Sequence, residues 1–158
     1  MEAMLEIGQG EFIFCAAHAG MHEDGFESLH GHTYQVTVRI AGPCDPATGM
    51  VHDFNLLKAA MREVIAPLRR RTLVATKTPS ASVDLRDEQV FVSDGVRSWS
   101  FPADDVVLLP LVNTSTEELA GHLLDQIAPR LPSGGLAWIE LSIAEAPGVS
   151  ALVRMDLR

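Results

Sequence analysis

Residues 32–42 read HTYQVTVRIAG, with apolar Tyr34, Val36, Val38 and Ile40 alternating with polar Thr33, Gln35, Thr37 and Arg39. A period of two puts all the apolar side chains on one face of extended backbone, which predicts a half-buried strand of an antiparallel sheet. Upstream, EFIFCAAH (11–18) alternates in the same way. Phe12, Phe14, Ala16 and His18 share one face, and Ile13, Cys15 and Ala17 the other. Downstream, GPCDPATG (42–49) is a turn cluster. Asp53 can then cap a helix whose residues Phe54, Leu57, Met61, Val64, Ile65 and Leu68 recur at helical spacing.

A second helix is expected after Asn113, where Ser115 and Glu118 fit a capping box and Leu119, Leu123, Ile127 and Leu131 form a stripe. Between the helices, EQVFVSDGVRSWSF (88–101) reads as a hairpin turning on Asp94-Gly95 in a type I′ turn, and DVVLLPL (105–111) as a short apolar strand. LAWIELSIAEA (136–146) and VSALVRMDL (149–157) are strand-like runs joined through Pro147-Gly148. Strands, helix, hairpin, helix, strands is the order of an α+β fold with two helices on one face of an antiparallel sheet. Its 158 residues suit a single domain spanning 1–158, with an extended hairpin-containing segment at about 72–112.

The net charge of −9 argues against a general nucleic-acid binder, which needs surplus Lys and Arg to neutralise phosphates. Two cysteines, Cys15 and Cys44, are too few for a disulfide framework and fit a reducing cytoplasm. No apolar run approaches the roughly 18 residues of a membrane span, and the start MEAMLEIGQG lacks a basic region followed by an apolar core. A soluble, cytoplasmic protein is expected.

The chemistry concentrates in ESLHGHTY (27–34). On a strand His30 and His32 point to one side, with Gly31 between them, and His18 ends the neighbouring strand. Three neutral imidazoles suit zinc and leave a fourth position open, the catalytic pattern. An HxH pair alone is also satisfied by one histidine hydrogen-bonding in a loop and the other facing solvent.

FCAAH, LHGHTYQVTV, GMVHDFNLLK, the polar NTSTE opening a helix and a glutamate in a late strand, taken in that order, resemble the 6-pyruvoyl-tetrahydropterin synthase and 6-carboxytetrahydropterin synthase family. The order matches across most of the chain apart from the longer middle segment. The resemblance implies Zn2+ on His18, His30 and His32. It also implies the tunnelling fold, in which sheets of several subunits join into a barrel with active sites between subunits, commonly as a hexamer of two trimers. Such enzymes take 7,8-dihydroneopterin triphosphate. The matching pterin-holding carboxylate is Glu145, able to accept from a ring amide and an amino group together. Ser115 and Glu117 align with the Thr and Glu of the family's Asn-Pro-Thr-x-Glu motif, although helix capping accounts for them almost as well.

Two departures stand out. The family's base is usually a cysteine four residues ahead of HGH, assisted by an Asp-His pair after the first helix; here Phe26 occupies the first place and Arg69 and Arg70 the second. A branch of the family carries Glu in an ExxHGH pattern instead and leaves 6-hydroxymethyl-dihydropterin, which makes Glu27 the candidate base. An apolar neighbour such as Phe26 favours the protonated carboxyl, against the pull of a nearby cation. His22 and His52 are reserve candidates. Arg69, Arg70 and Arg71, with Lys77, either complement the helix dipole or receive an anionic group such as a triphosphate. The expected function is a zinc-dependent pterin-processing lyase. Its competitors are a non-catalytic zinc and pterin binding protein and a zinc hydrolase built on HxH, in which Glu27 acts on bound water.

Overall fold

The computed structural model describes residues 1–132 and 134–157. Strand β1 (Glu2–His18) and strand β4 (His30–Pro43) pair antiparallel along almost their whole length, from Glu2 opposite Pro43 to His18 opposite His30. A bulge between Gly8 and Ile13 interrupts the ladder, and Gln9 and Gly10 take positive φ there. Between these strands, β2 (Met21–His22) and β3 (Gly25–Phe26) form a small hairpin of their own. Strand β10 (Trp138–Ala146) adds to the other side of β4, and β11 (Val149–Asp156) pairs with β10 through the expected Pro147-Gly148 turn, where Gly148 has φ +80.

Helix α1 (Phe54–Ile65) starts on Asp53, whose carboxylate accepts from the Asn55 N–H, and α2 (Thr116–Ile127) starts on Ser115, whose hydroxyl accepts from Glu118 N–H. The Glu118 carboxylate accepts from the backbone of Val112. Both helices lie on the apolar face of the sheet. Tyr34, Val36, Val38 and Ile40 of β4 and Ile139, Leu141 and Ile143 of β10 are completely buried against Leu57, Met61 and Ile65 of α1 and Leu119, Leu123 and Ile127 of α2. Phe54 falls outside this core and is exposed. On the opposite face Arg39 bridges Glu6 of β1 and Glu140 of β10, residues that face it directly across the two ladders.

Three expectations are corrected. The sheet is mixed rather than antiparallel, in the order β11-β10-β4-β1-β5-β9: β5 (Thr72–Ala75) runs parallel to β1, and β9 (Val106–Leu109) parallel to β5. Parallel neighbours need a long crossover, supplied by α1 before β5 and by residues 76–105 before β9. Those residues do form the expected hairpin, as β7 (Gln89–Ser93) and β8 (Ser98–Pro102), with a third strand, β6 (Ser82–Arg86), extending it to a meander; the second correction is to its turns. Its tight turn with two positive φ values lies at Asp87-Glu88, between β6 and β7. Asp94-Gly95 belongs to a four-residue loop in which only Gly95 is left-handed. Third, the arginine run follows the helical segment: α1 and a turn of 3-10 helix end at Leu68, Arg69 is extended and Arg70 has φ +57.

Among the described residues no helix is long and apolar enough to cross a membrane. Leu141 touches the core from the centre of β10 with no exposed surface. Leu141→Ala is expected to destabilise the protein by about 2–5 kcal/mol, read as a lower urea midpoint with an unchanged m-value.

Candidate metal and ligand site

The end of the β1–β4 ladder brings His18 opposite His30, and Ala16 opposite His32. Because side chains alternate along a strand, the three imidazoles lie on the same face, and ligand nitrogens of all three lie within 4.8 Å of one another. Cys15, one residue away on β1, is exposed on the opposite face.

His18 and His30 are oriented by oxygens outside the cluster. His18 Nδ1 lies 3.1 Å from the backbone carbonyl of Thr114 and 3.0 Å from its hydroxyl. A carbonyl only accepts, so Nδ1 carries the hydrogen and Nε2 is bare. That Nε2 is buried and has no partner. His30 Nδ1 donates in the same manner to the Ser28 carbonyl at 2.8 Å, which turns its own bare Nε2 toward His32 Nε2, also 2.8 Å away. Burial, reinforced by the neighbouring His30 and His32, depresses the His18 pKa and keeps this ring neutral. An orphaned buried nitrogen facing two others, with the His18 and His30 rings held from behind, is a donor set that suits a zinc ion.

Around the cluster lies a cavity of about 350 Å3, in the range of small-molecule sites. Glu27 lines it: Oε1 accepts from Gly20 N–H at 2.7 Å and lies 4.0 Å from His30 Nδ1, while Oε2 is 3.5 Å from His22 Nε2. Glu145 enters from β10. Its Oε2 accepts from the Thr116 hydroxyl at 3.1 Å and stands 3.8 Å from His32 Nε2. Ser115 and Glu117 line the same cavity, so Ser115 both caps α2 and faces the site.

The structure does not bring Arg69 and Arg70 to this cavity. The Arg69 guanidinium donates to the backbone carbonyls of Ile13 and Glu11, tying the end of the α1 segment to β1. Arg70 and Arg71 line a separate open depression with Cys15 and Thr33, on the sheet face away from the helices. His52 lies elsewhere too, with burial lowering its pKa. Sequence reasoning missed Asn113 and Thr114. Asn113 Oδ1 accepts from Met21 N–H and its amide donates to the Met21 carbonyl, both at 2.9 Å, so one side chain takes the place of a neighbouring strand for β2. The only signal for these two was their membership in the polar NTSTE run.

Residues 8–156 match the 6-pyruvoyl tetrahydropterin synthase family. The chain belongs to that family. It is 31% identical over 147 residues to a protein of Methanocaldococcus jannaschii named for 6-carboxy-5,6,7,8-tetrahydropterin synthase, covering 91% of this chain and 90% of the relative. The crystal structure of Plasmodium vivax 6-pyruvoyltetrahydropterin synthase superposes with a TM-score of 0.93 at 25% identity over 99% of both chains. Two further structures of that enzyme carry alanine or cysteine in place of a glutamate described as its catalytic residue. The Caenorhabditis elegans 6-pyruvoyl tetrahydropterin synthase, at 19% identity and a TM-score of 0.61, shares the fold. Family membership supports a pterin-processing lyase.

Thr114 acts on the cluster only through His18. Thr114→Val, which keeps the side-chain shape but removes the hydroxyl acceptor, is expected to weaken metal binding about tenfold. The remaining Thr114 carbonyl holds the effect to that size, and competition with a chromophoric chelator measures it.

Proposed function

We propose that this chain is a zinc-dependent lyase that acts on 7,8-dihydroneopterin triphosphate or a related dihydropterin, by proton abstraction from the side chain followed by cleavage. The observation that carries the proposal is Glu27 in the same cavity as the three histidines and Glu145, in a family where a solved relative has a catalytic glutamate. His18, His30 and His32 would hold the ion. Zinc there supplies Lewis acidity toward the substrate's side-chain oxygens.

The protein's own groups divide the remaining work. Glu145, steadied by Thr116, offers a free carboxylate edge to the paired N–H donors of a pterin ring. Ser115 and Glu117 flank the ring at the start of α2. Glu27, its carboxylate aimed by the Gly20 N–H, takes the proton from the second side-chain hydroxyl. The bond between the first two side-chain carbons then breaks, the triphosphate-bearing two-carbon fragment leaves as an aldehyde and the first carbon takes up a proton. His22, largely exposed and beside Glu27, can pass the proton that Glu27 took to solvent. Arg69 is engaged with backbone and has no part in this scheme, whereas Arg70 is free to meet an anionic group brought to the opposite sheet face.

The Glu in ExxHGH, with Phe26 where a cysteine would stand, favours 6-hydroxymethyl-dihydropterin as the product over the 6-pyruvoyl or 6-carboxy compounds. Zinc-loaded protein incubated with 7,8-dihydroneopterin triphosphate should yield that product by mass spectrometry. Glu27→Gln should lower kcat by about 10²–10⁴-fold while zinc and pterin still bind. Chelation of the metal should abolish turnover and re-addition restore it. Tight binding with no turnover of any dihydropterin would make the chain a binding protein instead.

We further propose a homo-oligomer, a hexamer of two trimers. Strands β9 and β11 are the edges of the six-stranded sheet, and Leu108 on the first and Val149 and Leu152 on the second are exposed. Light scattering on the eluting protein should give six times the 17.1 kDa chain mass, and a monomer would remove the proposal.

A further inference from the structure

The loop between β1 and β4 carries Glu27, and it is short of internal structure. Its hairpin consists of two residues on each side. Both outer edges are held by side chains from distant segments. Asn113 takes the β2 edge at Met21, as described above. Asp94, from the loop between β7 and β8, takes the β3 edge: its Oδ2 accepts from Phe26 N–H at 2.9 Å. The other oxygen, Oδ1, accepts from Val96 N–H at 2.9 Å and Arg97 N–H at 2.6 Å, so one carboxylate joins the meander's own loop to the Glu27 loop. These backbone donors, the Phe26 N–H foremost, hold its carboxyl down to about 2.

Two further contacts flank Glu27. The Phe26 ring meets Trp99 of β8 edge to face, with centroids 5.2 Å apart, and joins the apolar cluster of Val74 from β5 with Val90 and Val92 from β7. Arg97 donates to the Ser28 hydroxyl at 3.1 Å. Residues 26 and 28 are thus both fastened to the meander, and Glu27 between them is directed into the histidine cavity, where its backbone N–H and its Oε1 both bond to Gly20. The approach is close enough to dictate a glycine. Gly25 has φ +105, and a Cβ on it would stand 2.8 Å from Asp94 Oδ2.

We propose that the β6–β8 meander is a clamp that positions Glu27 for catalysis, with Asp94, Arg97 and Trp99 as positioning residues that never touch substrate. This rests on Glu27 being the base. The clamp does for a carboxylate what neighbouring catalytic side chains do for a thiol: it fixes the reacting oxygen relative to the metal cluster and leaves it little freedom to recoil.

The test compares Asp94→Ala, Asp94→Asn, Glu27→Gln and the double variant Asp94→Ala/Glu27→Gln, all as zinc-loaded protein with 7,8-dihydroneopterin triphosphate, at a temperature where each is folded by circular dichroism. Asp94→Ala is expected to lower kcat about tenfold with KM within twofold of the parent, because a misplaced base slows the proton transfer and leaves ring binding alone. Asp94→Asn, which keeps one acceptor oxygen for Phe26 N–H, should fall between. In the Glu27→Gln background Asp94→Ala should change the residual turnover by less than twofold, since there is no base left to misplace. A tenfold loss in both backgrounds, or a lowered melting temperature with unchanged kcat, overturns the clamp and leaves the base intact. Full activity in Glu27→Gln removes the base and the clamp together. Should Asp94→Ala fail to fold, Ser28→Ala removes only the Arg97 contact; a two- to threefold loss of kcat confined to the Glu27 background supports the clamp, and equal effects in both backgrounds overturn it.

Discussion

The register of β1 against β4 is the constraint on which the rest depends. With His18 opposite His30, the period of two delivers three imidazoles to one face and Tyr34, Val36, Val38 and Ile40 to the core beneath the helices along the same strand. A slip of one residue would turn Gly31 and Thr33 inward and carry the histidines to the face of Cys15. The hydrophobic pattern that secures the fold therefore also secures the site, and neither can be shifted alone. Orientation is finished by oxygens from elsewhere, with Thr114 behind His18 and Ser28 behind His30.

How far the sequence was legible follows from the range of the forces involved. Alternation and capping are local, so the second half of β1 (11–18), β4, both helix starts and the Pro147-Gly148 turn could be read directly, whereas residues 2–8, paired with β4 beyond the bulge, could not. The parallel addition of β5 and β9 was invisible, because a four-residue apolar run has no direction of its own. Strand β6 went unseen for a related reason: Ser82–Arg86 has only Val83 and Leu85 on its apolar side, too short an alternation to stand out, and Leu85 is exposed in the fold. Asp94-Gly95 looked like a two-residue turn on composition. In the fold its carboxylate is an acceptor for Phe26, 68 residues away in sequence, a role no local pattern announces.

The arginine run shows the opposite failure, a local argument that was physically sound but misplaced. Basic residues after a helix suit its dipole. The helical segment ends at Leu68, and Arg69 instead satisfies carbonyls of β1 at the bulged side of the ladder. Its charge thereby serves the joint between a helix and a strand, and only Arg70 and Arg71 face an open surface.

The pairing of Asn113 with both polar groups of Met21 bears on how the cavity meets a ligand. A loop linking the two strands that carry the histidine cluster would ordinarily sample many conformations and have to order itself around each incoming molecule. Here its edges are already hydrogen-bonded as though they lay inside a sheet, so ligand binding gives up little chain entropy. Affinity at this site is then set by the contacts themselves, with a heat-capacity change as small as the apolar surface the ligand covers and no added contribution from a folding loop.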